Sequence, residues 1–186
     1  TLRKDAGMLY YLHEAQRMAM APARAAAEGL LAMLSNPFIP AAYAPFAKEL
    51  RSAAQVFEQA TRRYGKPAWD LDETKIKGRT VAVETEIAIQ RTYCDLLHFK
   101  RATKRNDPKL LICAPLSGHF ATLLRGTVAE MLPDHDVYIT DWKDCRLIPM
   151  AADRFNLSDY IDYVIDFLHF LGPNTHVLAV CQPSVP

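Results

Sequence analysis

The spacing of apolar positions changes along the chain, and each change marks a change of element. Leu9, Leu12, Met20, Leu30, Leu31 and Leu34 recur near helical spacing in a stretch rich in Ala, Leu, Met and Glu. That spacing predicts a helix over 5–34, with Pro22 as a kink or break. The two prolines of "SNPFIP" (35–40) predict a turn. A second helix is predicted over roughly 41–63. Its apolar face would carry Leu50, Val56, Phe57 and Tyr64, with Arg51, Glu58, Arg62 and Arg63 outside. Gly65 suits the C-terminal cap, and Pro67 lies just beyond it.

From Thr80 the period shortens to two. "TVAVETEIAIQ" alternates, with Val81, Val83, Thr85, Ile87 and Ile89 on one face, and reads as one strand or two short ones. "CDLLHFKR" (94–101) alternates again, with Leu97 and Phe99 facing one way, and the basic turn "KRNDP" (104–108) follows. "LLICAP" is a continuous apolar run, as in a strand covered on both faces. A helix over 120–132, a strand over 136–142, a helix over 156–171 and a strand over 176–180 complete the pattern. Ser158 is the expected N-cap of the last helix, with Asp159 near the positive end of its dipole. Alternation of strand and helix predicts a parallel sheet with crossover helices. The chain therefore divides into a helical segment over 1–75 and an α/β domain over 76–186.

Composition adds mainly exclusions. Of the 186 residues, 50% are hydrophobic and 23% charged, which is ordinary for a globular domain. With a net charge of +1, nothing in the composition argues for a nucleic-acid surface or an acidic tail. No run of apolar residues reaches the length of a transmembrane helix, and charges in the first two helical turns argue against a secretory signal. Cys94, Cys113, Cys145 and Cys181 form no CxxC pair, so no zinc site is expected, and they read as reduced thiols of a cytoplasmic protein. "HEAQR" (13–17) begins like a zinc-protease motif but has Arg17 where the second histidine belongs, which leaves His13 a surface or packing residue. The seven glycines do not cluster, so no phosphate-binding loop is expected.

Two loops carry candidate chemistry. "APLSGHF" (114–120) follows a buried strand and precedes a helix. It is either a plain turn or a ligand loop at the carboxyl edge of the sheet, and His119 is either structural or a base. Tyr138, Asp141 and Trp142 lie at or near another strand end; Asp141 and Trp142 read as structural, although Trp142 would suit the lining of an apolar site. "AVCQP" (179–183) is the sharper case. Cys181 is either a small buried hydrophobe at a strand end or a nucleophile at a strand-to-helix corner. Ala179 is small enough for the close approach such a corner requires, and Pro183 suits a first helical turn. At a corner, a helix N-terminus would favour the thiolate, and the Gln182 amide would face the oxygen of a tetrahedral intermediate. The loop "PLSGH" is the expected source of a second amide.

The segments "MLYYLHEAQRMAMAPAR", "LLHFKR", "PKLLICAPLSGHFATLLRGTVAEMLP", "DVYITDWKDCRLIP" and "VLAVCQPS" together resemble the intracellular polyhydroxyalkanoate depolymerases, which mobilise stored poly(3-hydroxybutyrate) in bacteria. The similarity runs along essentially the whole chain. It implies an α/β-hydrolase fold, a doubly wound and mostly parallel sheet preceded by a helical segment. It also implies a Cys-His-Asp triad with Cys181 as the nucleophile, and an oxyanion hole formed by the amides of Gln182 and Ser117. No metal or organic cofactor is implied. In α/β-hydrolases the acid and the histidine follow the nucleophile. Both are therefore expected beyond Pro186, in a further C-terminal portion, with the present chain as the N-terminal portion. None of the six histidines substitutes for the triad member, although His119 or His176 could lie near the site.

The expected activity is hydrolysis of polymer esters through an acyl-thioester on Cys181, with thiolysis open to the same intermediate. The expected partners are the polymer and its granule surface in the cytoplasm, with no nucleic acid and no membrane. Two alternatives come from other classes. One is an acyltransferase of the polyhydroxyalkanoate synthase type, which would keep glycines where this chain has Ala179 and Pro183. The other is a non-catalytic granule-binding module built on the apolar faces of the first two helices, which would otherwise pack on the domain.

Overall fold

A computed structural model describes residues 12–62, 64–116, 120–149, 151–152 and 154–185. The chain forms two compact units, Thr1–Gly65 and Lys66–Pro186. The division falls ten residues before the expected 75/76 boundary, because residues 66–75 go with the sheet.

In the first unit residues 12–19 are helical and lead into α1 (Ala21–Ser35), which is followed by α2 (Ala47–Thr61). Pro22 has no N–H to offer the preceding turn, and the helix is interrupted at Met20. Hydrogen bonds from Met20 N to Gln16 O (3.1 Å) and from Arg24 N to Met20 O (3.0 Å) bridge the interruption. Prolines end α1, and a 3-10 turn (Pro40–Tyr43) precedes α2, so the second helix starts later than its expected position near 41. The expected apolar face of α2 is also corrected. Leu50, Val56 and Tyr64 are exposed, whereas Ala47, Ala54 and Glu58 are buried. α1 buries Leu34, and the buried positions of α2 are two alanines and a glutamate, residue types that carry little hydrophobic signal. Glu58, only 5% exposed, tolerates its burial by taking a bond from Arg62 Nε at 2.6 Å.

The second unit is a mixed α/β structure. Its elements are β1 (Glu73–Ile76), β2 (Arg79–Gln90), β3 (Cys94–Arg101), β4 (Lys109–Cys113), α3 (Arg125–Met131), β5 (Asp136–Trp142), α4 (Leu157–Leu171) and β6 (His176–Ala179). They form one six-stranded sheet in the order β1-β2-β3-β5-β4-β6. The β1–β2, β2–β3 and β3–β5 pairs are antiparallel, and β4 pairs in parallel with both β5 and β6. The sheet is therefore mixed rather than mostly parallel as expected: only strands joined through helices run parallel, and the first three strands join by short turns. β1 was not legible from its short polar sequence. It is created by a two-residue turn at Lys77 and Gly78, both with positive φ (48° and 77°), which is the backbone a tight hairpin requires. β2 is a single strand, but a bulge between Ile87 and Ile89 interrupts the alternation, so Ile87 faces solvent while Ala88 and Ile89 pack on the core.

β4 and β5 are buried on both faces, as their unbroken apolar runs require. Leu111, Ile112, Val137 and Ile139 have no accessible surface. Burying each is worth about 1.5–3 kcal/mol. The predicted helix over 120–132 is a 3-10 turn (Ala121–Leu124) followed by α3, which buries Val128. α4 buries Tyr160, Phe167 and Leu171. Its N-cap is Asn156 rather than Ser158. The Asn156 side chain accepts the Ser158 and Asp159 N–H groups, while Asp159 accepts the Asn156 N–H at 2.7 Å, a reciprocal capping box. No helix among the described residues is long and apolar enough to cross a membrane.

A charged cluster staples three strands. His98 on β3 bonds Glu86 of β2 through Nδ1 and Asp136 of β5 through Nε2, both at 2.8 Å, and stacks on Tyr138 with ring centroids 4.2 Å apart. Lys100 also reaches Glu86, at 3.4 Å. Burial opposes charge on the His98 ring, but the bonds to Asp136 and Glu86 outweigh it and hold its pKa above the ordinary 6.5. The bond to His98 draws the Glu86 pKa down; Asp136 is likewise lowered, its burial being overcome by the same ring. A raised histidine stabilises the fold fully below its unfolded value and loses that contribution as pH rises through the folded value. The two lowered carboxylates contribute above their unfolded values and lose it as pH falls through the folded ones. The staple is therefore strongest from about pH 5 to 6, between the ordinary carboxylate and histidine values. The variant His98→Phe, which keeps the stack on Tyr138, is expected to cost about 1–3 kcal/mol at pH 6. Denaturant melts at a series of pH values should show the gap between wild type and variant narrowing as pH rises above 6.5.

Candidate functional site at the carboxyl edge of the sheet

The site begins with the pairing of β6 against β4. Cys113 lies opposite Ala179 in register, and the Val180 N–H reaches Cys113 O at 3.3 Å. One residue later the chain turns sharply. Cys181 has φ 65° and ψ −117°. This lies outside the left-handed helical well, where ψ is about 30–60°, and a side chain held there costs about 1–3 kcal/mol. A 3-10 turn (Gln182–Ser184) takes up the chain, with Pro183 buried in it. Ser184 returns both its N–H (3.1 Å) and its hydroxyl to Cys181 O, which braces the corner. The Gln182 N–H stands at the first position of that turn, where a helical segment supplies no internal acceptor.

Cys181 is exposed, as is Cys145, while Cys94 and Cys113 are buried; all four are free thiols. Burial pushes the Cys113 thiol up to about 11 and raises Cys94 further. The reading of Cys181 as a buried strand-end residue is therefore set aside. The helix expected after the corner extends only as a three-residue turn among the described residues.

The loop after β4 lies beside this corner and is tied down at three points. Ala114 N donates to Thr140 Oγ1 at 2.9 Å, and Trp142 Nε1 donates to Ala114 O at 3.0 Å. Leu116 N donates to Gln182 Oε1 at 2.9 Å, joining the loop to the corner directly. Trp142 is itself held by stacking on Tyr160 (4.7 Å) and on Tyr163. Trp142 is thus structural, as its position suggested, and what it supports is the loop. Asp141 is structural too. Its buried carboxylate takes a bond from Lys66, and burial raises its pKa. Ser117, Gly118 and His119 lie outside the described residues.

No described histidine of the sheet unit stands at this edge. His176 opens β6, so five residues of extended chain, roughly 16 Å, separate it from Cys181. This removes it from the vicinity the sequence had left open. His135 precedes β5, His169 lies in the last turn of α4, and His98 is committed to its staple. The residues that sequence reasoning missed are Thr140 and the side chain of Gln182. An indole N–H at a buried strand end must find an acceptor, so Trp142 carried a signal. The other two carried none before the strands were aligned.

Iodoacetamide footprinting of the folded protein, read by peptide mass, should modify Cys145 and Cys181 within minutes and spare Cys94 and Cys113 until denaturant is added. Early modification of Cys113 would contradict the packing of β4.

No family model, no curated protein and no solved structure matches the chain.

Proposed function

We propose that this chain carries the nucleophile of an α/β-hydrolase-type thiol esterase, and that its substrate is intracellular poly(3-hydroxybutyrate). The observation that carries the reading is the backbone of Cys181. A non-glycine residue is held at φ 65°, ψ −117° between a parallel strand and a helical turn, with its side chain exposed. Strain of this kind persists where the surrounding structure overdetermines it, and it is the geometry of a nucleophile elbow.

The sheet topology supports the same reading. β4 is followed through α3 by β5 on one side, and β5 is followed through α4 by β6 on the other. Right-handed crossovers running in opposite directions lay their helices on opposite faces. The carboxyl end of β4 is thus the point where the strand order reverses, which is where ligands bind in doubly wound sheets. Cys181 and the loop after β4 meet there. The polyester substrate and the granule-associated, cytoplasmic setting rest on the resemblance of the motifs around Cys181 to the depolymerases.

In the proposed reaction Cys181 Sγ forms a bond to the ester carbonyl carbon, and the carbonyl oxygen becomes an oxyanion facing the Gln182 amide. The C–O bond then breaks, and the alcohol end of the polymer leaves with a proton. Water next adds to the thioester carbonyl carbon, the C–S bond breaks, the hydroxy-acid end leaves as its carboxylic acid, and the thiol is returned. The proton carrier is the triad histidine that the resemblance implies. No step calls for a metal or an organic cofactor.

Contact with a granule finds support in the first unit. Phe38 (91% exposed), Tyr43 and Phe46 stand out from the connection between α1 and α2. Exposed aromatics on a helical hairpin suit insertion into an apolar surface.

In the full-length protein, Cys181→Ala should reduce polymer hydrolysis by at least a thousandfold while co-sedimentation with native granules is retained. Unchanged turnover would remove the proposal. Denaturing mass spectrometry of wild type quenched during turnover should find the acyl adduct on the peptide containing Cys181. Replacing Phe38 and Tyr43 together by Ser should lower granule co-sedimentation several-fold and leave hydrolysis of a soluble ester unchanged.

A further inference from the structure

We propose that the side chain of Gln182, as distinct from its backbone amide, is a positioning residue for acyl transfer. It clamps the Cys181 corner to the loop after β4. The inference rests on the thiol-esterase reading above and adds a role to a side chain that reading leaves unused.

The geometry is a relay of fixed points. Thr140 and Trp142 on β5 hold both polar groups of the Ala114 backbone, at 2.9 and 3.0 Å. Two residues on, Leu116 gives its N–H to Gln182 Oε1 at 2.9 Å. The loop is therefore anchored to the sheet at one end and to the corner at the other. Residue 182 opens a three-residue turn in which Gln182 and Ser184 are exposed and Pro183 is buried. Without the side-chain bond, that turn is restrained mainly by the brace from Ser184 to Cys181 O and by the burial of Pro183.

The consequence is chemical. An amide stabilises a developing oxyanion only so far as it is already aimed when charge appears. The Gln182 N–H and the clamping Oε1 belong to the same residue, so a bond that stops the side chain also stops the amide. Removing that bond should slow reactions of Cys181 that build an oxyanion and leave the others alone.

Two reagents separate these cases in the full-length protein. p-Nitrophenyl butyrate acylates the thiol: S–C forms, C–O breaks, p-nitrophenolate leaves, and an oxyanion develops on the way. Iodoacetamide alkylates it by displacing iodide, with no oxyanion. Gln182→Met keeps the length and the backbone amide but removes the acceptor. Leu116→Pro removes the donor from the opposite side. Each is expected to lower kcat for the ester on the order of ten- to hundredfold, with KM within twofold and alkylation unchanged. The double variant should be no slower than the slower single one, because both cut the same bond. Leu116 amide hydrogen exchange should accelerate in Gln182→Met.

Wild-type kcat in Gln182→Met, additive losses in the double variant, or an equal fall in alkylation would overturn the clamp and leave the esterase reading standing. A wild-type Cys181 that alkylates but is never acylated would overturn the esterase reading and the positioning role with it. Faster exchange at Leu116 in Gln182→Met would then mark a contact that is only structural.

Discussion

β4 is bonded on both sides by parallel neighbours, β5 and β6, and the rest of the sheet unit is arranged around that pairing. A five-residue strand with no free edge must be apolar on both faces, and "KLLIC" meets the demand with Leu111 and Ile112 wholly buried. Parallel neighbours cannot be joined by hairpins, so α3 and α4 are obligatory crossovers rather than additions. The register of the same pairing, Cys113 opposite Ala179, sets the distance beyond the sheet at which the chain turns at Cys181.

The strained corner depends on this support. A residue at φ 65°, ψ −117° relaxes unless its flanks are fixed. On one flank β6 is bonded along β4. On the other, Pro183 is buried and Ser184 bonds back to the Cys181 carbonyl. The loop across from it is held by β5 through Thr140 and Trp142, and Trp142 in turn by the aromatic face of α4. Elements distant in sequence thus share one task, which is to keep two short loops still beside an exposed thiol.

The first unit follows another logic. Its buried residues are few, Leu34, Ala47, Ala54 and Glu58, and several of its larger apolar side chains, Met18, Phe38 and Val56 among them, are exposed. Such a surface is costly in water unless something apolar covers it. That exposed surface is what supports the proposed polymer contact of this unit, while the proposed nucleophile lies on the sheet unit.

Much of this was legible along the chain. The boundaries of β3 and β5 and the buried character of β4 follow from periodicity, because backbone geometry links side-chain direction to position with a period near 2 or 3.6. The corner at Cys181 was legible as one of two readings from small and turn-forming neighbours. What misled was local. Large apolar residues suggested a face for α2 that alanines occupy, and Ser158 stood in for Asn156 because either residue type caps a helix and only the backbone bend distinguishes them. The strand order, the staple of His98 between β2 and β5, and the bonds that tie Ala114 and Leu116 to β5 and Gln182 were decided by tertiary structure alone. Each joins residues from twelve to nearly seventy positions apart. A one-dimensional pattern says which face a residue occupies but not which strand will lie beside it. That choice is made by how all the apolar faces can be buried at once.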